Sequence, residues 1–153
     1  MSDMYKVIDN HVHMGGPGDK YSDDLYWSET FANGIGFKAL QVLKGWSLKE
    51  VNDDFLTDEL LRQIREAHDV DYVVVLAFDH VYQPDGSYRG PNKSNTGENL
   101  TNHDVSTDYV DELRANNDKI LLGISVHPFR DDALDELDRF KDRAVLCKWI
   151  AAS

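Results

Sequence analysis

Lys119-Ile120-Leu121-Leu122-Gly123-Ile124-Ser125-Val126-His127-Pro128, followed further along by Ala144-Val145-Leu146-Cys147-Lys148-Trp149-Ile150, decides the fold class. The first is a continuous apolar run that reads as a buried strand, and the second reads as the strand that follows it. Between them, residues 131–141 start with acids and carry Leu134, Leu137 and Phe140 at helical spacing. Strand, helix and strand in about thirty residues make a βαβ unit, whose crossover is right-handed almost by rule.

Working back, Asp71 to His80 (DYVVVLAFDH) holds another unbroken apolar run, and a short first strand is expected over about residues 6–10. Helices are expected over 37–44, 57–67 and from Ser106 or Thr107 to about residue 115. Ser47-Leu48-Lys49-Glu50 has the form of a capping box. Gln83-Pro84-Asp85-Gly86-Ser87 signals a turn, and its flanking Tyr82 and Tyr88 suit a small hairpin. Residues 90–101 carry no core-forming pattern, as expected of a functional or disordered connection. Residues 19–31 mix acids with Tyr21, Tyr26, Trp27 and Phe31. Two readings stay open there: a loop folded over a ligand, or rings capping one end of the core.

The chain has 153 residues, enough for one domain (residues 1–153) and too few for two. Its net charge of −12 offers no basic stripe for phosphates, which argues against a nucleic-acid partner. Cys147 is the only cysteine, so no internal disulfide can form, and the N-terminal residues lack the apolar core of a signal peptide. No apolar run is long enough for a membrane span. The expectation is a cytoplasmic protein acting on a small molecule.

The chemistry concentrates at the strand ends. The first strand leads into Asp9-Asn10-His11-Val12-His13-Met14-Gly15-Gly16. Alternation in a strand puts His11 and His13 on one side and Val12 on the other, which makes the histidines a candidate pair of metal ligands. The second run ends at Asp79 and His80, the third at His127, and the fourth contains Lys148. In a parallel sheet these ends share one face, where α/β folds place their sites. His127 suits either a site role or packing against Pro128. Lys148, inside an apolar strand, must be paired, neutralised, aimed into a polar cavity or extended to solvent. His68 suits a helix C-terminus, and His80 and His103 read as loop residues.

Ile8-Asp9-Asn10-His11-Val12-His13-Met14-Gly15 resembles the first-strand signature of the amidohydrolase superfamily, in its large branch of metal-dependent hydrolases and decarboxylases. Gly123 to Pro128, then a helix, then Val145-Leu146-Cys147-Lys148-Trp149, is similar to the third and fourth strands of that branch. The resemblance implies an α/β fold that is part of a (β/α)8 TIM-type barrel, about the first four βα units with parallel strands. It implies a divalent metal, zinc by preference, held by His11 and His13, with metal-bound water as nucleophile on a carbonyl or related carbon. Lys148 matches the position of a lysine that bridges two metals in some members, carbamylated there. His127 and Asp79 would lie near the substrate. The same site in other members decarboxylates. The family's later histidines and its proton-transferring aspartate come from strands five to eight, beyond Ser153. The chain is therefore expected to be an incomplete half, completed by a C-terminal half or a second copy, or else a non-catalytic half-barrel module that self-associates.

Overall fold

The computed structural model describes residues 5–47, 50–88 and 101–149. The capping box falls partly, and the connection over 90–101 almost wholly, outside those residues. Among the described residues the order is β1 (Ile8–His13), β2 (Leu25–Trp27), α1 (Glu29–Ala32), α2 (Ile35–Lys44), α3 (Asp53–Glu66) and β3 (Tyr72–Leu76). Then come β4 (His103–Val105), α4 (Thr107–Ala115), β5 (Ile120–Ser125), α5 (Ala133–Phe140) and β6 (Ala144–Lys148).

Four of these strands form an all-parallel sheet in the order β1-β3-β5-β6. These are the four strands expected from the sequence, and each crossover moves one position in the same direction. With right-handed crossovers, such stepping puts every connecting helix on one face. The packing agrees, because Ile64 of α3, Tyr109 and Val110 of α4 and Phe140 of α5 share one cluster with Val73, Val75, Ile120, Leu122 and Ile124. Val12 joins that cluster from β1. The fold is thus α/β, with helices gathered on one face of a parallel sheet.

The opposite face is set by register. His13 pairs with Leu76, Leu76 with Gly123, Gly123 with Leu146, and Ser125 with Lys148. Side chains at paired positions point the same way, so His13, Leu76, Leu146 and Lys148 all stand on the face away from the helices. Gly123 leaves room for this packing: a Cβ there would lie 2.6 Å from Leu76 Cδ2 and 3.0 Å from Val74 Cγ1.

Several boundaries differ from expectation. β1 runs to His13, so the histidines lie inside the strand, and a register irregularity between Asp9 and Val12 marks a bulge beside them. α3 starts at Asp53, earlier than the apolar period suggests, because Asn52 caps it by accepting from the Phe55 N–H at 2.8 Å. Residues 25–27 and 103–105 pair as a two-stranded antiparallel ribbon, β2 with β4, that no sequence pattern announced. Tyr82 and Tyr88 do bridge antiparallel around the expected turn. Ser106 caps α4 by accepting from the Tyr109 N–H at 3.0 Å. Among the described residues no helix is long and apolar enough to cross a membrane.

The segment after β1 is anchored from α3. The Asp53 side chain is fully buried, and its two oxygens accept from the backbone N–H groups of Gly18 (2.9 Å), Lys20 (2.9 Å) and Tyr21 (3.0 Å). Gly16 must be glycine there, since a Cβ would meet Asp53 Oδ1 at 2.3 Å.

Candidate functional site

His11 and His13 extend from the same side of β1, and their Nε2 atoms approach to 2.8 Å. The rings meet edge to face with centroids 4.6 Å apart. In the absence of an ion, one Nε2–H donates to the other ring. Two imidazoles bound to one zinc at about 2.0–2.1 Å would hold their nitrogens about 2.9–3.4 Å apart for angles between square and tetrahedral. The observed spacing is close to that, so this donor pair fits a divalent ion with little movement. Among the described residues there is no cluster of three or more His, Cys, Asp or Glu side chains arranged to hold a metal.

Lys148 comes to the same face from β6, at the opposite edge of the sheet. Its Nζ lies 3.4 Å from the Phe78 ring centroid, and the Phe78 ring tilts against His13 with centroids 5.0 Å apart. Among the described residues Lys148 enters no ion pair. Desolvation of the ammonium lowers its pKa to about 8. His13 falls to about 4, first through partial desolvation and then through repulsion from Lys148, His11 and His103. The His13 imidazole is therefore neutral at pH 7, the state a metal requires.

Asp79 and His127 form a second group. The His127 backbone N–H donates to Asp79 Oδ2 at 2.7 Å, and Arg130 Nη1 lies 3.2 Å from both Asp79 oxygens. The carboxylate thus joins the end of β5 to the segment after β3. His127 is buried, and its Nδ1 accepts from the Phe129 N–H at 3.2 Å, so its proton is on Nε2. Desolvation lowers the His127 pKa against the opposing pull of Asp79. The five residues singled out in the sequence share the strand-end rim, but as two groups: His11, His13 and Lys148 in one, Asp79 and His127 in the other.

His103 stands at the division, and the sequence reading missed it. Rather than sitting in a loop, it belongs to β4 and donates from Nε2 to the Met14 carbonyl at 3.0 Å. Its Nδ1 is buried without a hydrogen-bond partner. Burial lowers its pKa despite the hydrogen bond to Met14. With Phe78, at 4.8 Å and nearly perpendicular, it separates a cavity of about 510 Å³ beside His13 from one of about 210 Å³ beside His127. The only sequence signal for this role was the Ser106 cap, which brings the preceding residues back to the sheet.

Gly15 fixes that ring. A Cβ on Gly15 would lie 2.2 Å from His103 Cε1, and a ring already bonded to Met14 cannot retreat cheaply. Gly15→Ala should therefore destabilise the chain by about 1–3 kcal/mol, as overpacking of a filled interior does. Chemical denaturation would measure it, and an unchanged midpoint would show that the ring is free to move.

The depressed histidines also make stability fall in acid. Between the unfolded value near 6.5 and the folded values, about 4 for His13, the unfolded chain binds more protons, so stability declines as pH drops through that window. His103→Gln keeps a donor for Met14 and should flatten part of that decline. Urea midpoints at pH 7, 6 and 5 test it: parallel curves for variant and parent would remove His103 from the explanation.

Comparison with known proteins found no matching family model, no matching curated protein and no matching solved structure.

Proposed function

We propose that this chain carries the metal-binding half of an amidohydrolase-type hydrolase acting on a carbonyl or related carbon of a small molecule. One observation carries the reading: the converging Nε2 atoms of His11 and His13, 2.8 Å apart at the C-terminal end of an outer parallel strand. His11 and His13 would hold a divalent ion, zinc by the affinity of imidazole for it. When bound, such an ion supplies Lewis acidity and water activation at neutral pH.

The chain's own residues prepare the site. Keeping His13 neutral frees its Nε2 lone pair, and alternation along β1 puts both rings on one side. Lys148, with its lowered pKa, reaches the same face and is the candidate third ligand, as the free amine or after carbamylation. Asp79, clamped by Arg130, fixes the backbone that presents His127 to the substrate side. A decarboxylase using the same residues is the nearest variant of this reading. Elemental analysis of the purified chain tests it: metal should be roughly stoichiometric and should vanish in a His11→Ala/His13→Ala variant. Equal metal content in parent and variant would rule the pair out.

The sheet also supports the half-barrel reading. Eight such βα units close a barrel, and all-parallel, sequentially ordered strands are what half of one contains. Among the described residues neither β1 nor β6 has a partner on its outer side, and apolar residues beside those edges are open, with Val7 52%, Val145 53% and Trp149 60% exposed. Unpaired edges with apolar flanks favour pairing with more strands, from a second copy or from a C-terminal half. Light scattering during gel filtration should show concentration-dependent self-association of the chain. A strictly monomeric chain across a hundredfold range of concentration would contradict it.

A further inference from the structure

The cavity of about 510 Å³ beside His13 is lined by a run of aromatic rings in contact with one another, together with Leu40, Leu56 and Leu60. Trp27 meets Phe37 edge to face with centroids 4.8 Å apart and stacks on Phe31 at 5.7 Å. Phe31 reaches His103 at 5.5 Å, His103 meets Phe78 at 4.8 Å, and Phe78 meets His13 at 5.0 Å. A chain of aromatic faces and edges thus leads from β2 to the candidate metal ligands. The charged side chains on this lining are Lys44 and Glu59, and Glu59 is already held by Arg62 at 2.7 and 2.8 Å and by Gln63 at 2.7 Å. A dry apolar cavity of about 150 Å³ already accepts benzene, so this one has room for a ring and its substituent.

We infer that this cavity is the binding pocket for an uncharged aromatic ring whose carbonyl substituent is directed toward His11 and His13. Ring walls favour a planar π-system over an aliphatic ring of equal size, because edge-to-face and offset contacts add to area burial. The pocket lies between the β2–β4 ribbon with α1 and α2 on one side and the sheet and α3 on the other. Of the aromatic residues in the segment after β1, Trp27 and Phe31 therefore line a cavity, while Tyr21 packs against Tyr109 and the core. The inference names the substrate class of the site proposed above and rests on that reading for the carbonyl end alone.

Benzamide, cyclohexanecarboxamide and acetamide, titrated into the full chain by ligand-observed NMR, separate the possibilities. Benzamide should bind about two- to tenfold more tightly than cyclohexanecarboxamide, and acetamide should not bind measurably. Phe37→Leu, which keeps an apolar side chain but removes a ring, should bring the first two closer together, with Trp27→Leu as an independent second variant. Equal binding of the two ring amides to the parent, or no binding of either, would overturn the inference without any variant. The same titration on metal-free His11→Ala/His13→Ala protein keeps the two claims apart. A ring preference that survives there while no metal binds to the parent would sink the metal reading and leave the pocket. Stoichiometric metal with no ring preference would do the reverse.

Discussion

Asp53→Ala should lower the stability of the chain by about 3–4 kcal/mol, near the top of the range for single substitutions. The carboxylate has no exposure and, among the described residues, is the only acceptor for the N–H groups of Gly18, Lys20 and Tyr21. Alanine would leave three donors facing a void, and each partly buried donor left unpaired costs about 1–3 kcal/mol, less where water can enter. The residue also opens α3, where a negative charge is favourable to the helix dipole. Asp53→Asn should fall between, since an amide offers one acceptor oxygen where the carboxylate offers two. Asp54, the next residue, is the control: it is exposed and pairs with Lys20 across the surface, so its alanine variant should barely move the midpoint. Urea denaturation of the three variants would decide it, and Asp53→Ala behaving like Asp54→Ala would show that the segment over 16–21 is not anchored from α3.

Zinc affinity should collapse when the histidine pair is broken. Loss of a hydrogen bond supporting a metal ligand typically costs about 10–100-fold in affinity, and loss of a ligand itself costs more. His11→Ala and His13→Ala should each weaken zinc binding beyond that range, and the double variant should show none in a competition assay with a chromogenic chelator. Neither substitution should harm the fold, because both rings are exposed at the rim and neither belongs to the core cluster. An affinity unchanged in both single variants would place any bound zinc elsewhere.

The parallel sheet was legible because its strands announce themselves. Tyr72–Leu76 and Ile120–Ser125 are continuous apolar runs, and strands buried on both faces require that. The His11 and His13 pairing was legible for an equally local reason, the alternation of side chains along a strand. What escaped was set by contacts between distant residues. β2 and β4 are three residues each, too short for any period, and exist because Leu25, Tyr26 and Trp27 find Val105, Asp104 and His103. His103 bonds to Met14 across 89 positions of sequence. Asp53 read as one of many acids, yet it is buried by backbone donors more than thirty positions earlier. The ion pair that clamps Asp79 likewise depends on Arg130, 51 positions away.

The most direct test of the two-imidazole site is X-ray absorption at the zinc edge on the chain loaded with one equivalent of zinc. The site predicts at least two imidazole scatterers at about 2.0–2.1 Å in the parent, lost in the His11→Ala/His13→Ala variant. A zinc shell of oxygen scatterers alone, or a spectrum identical in parent and variant, would show that His11 and His13 are not its ligands.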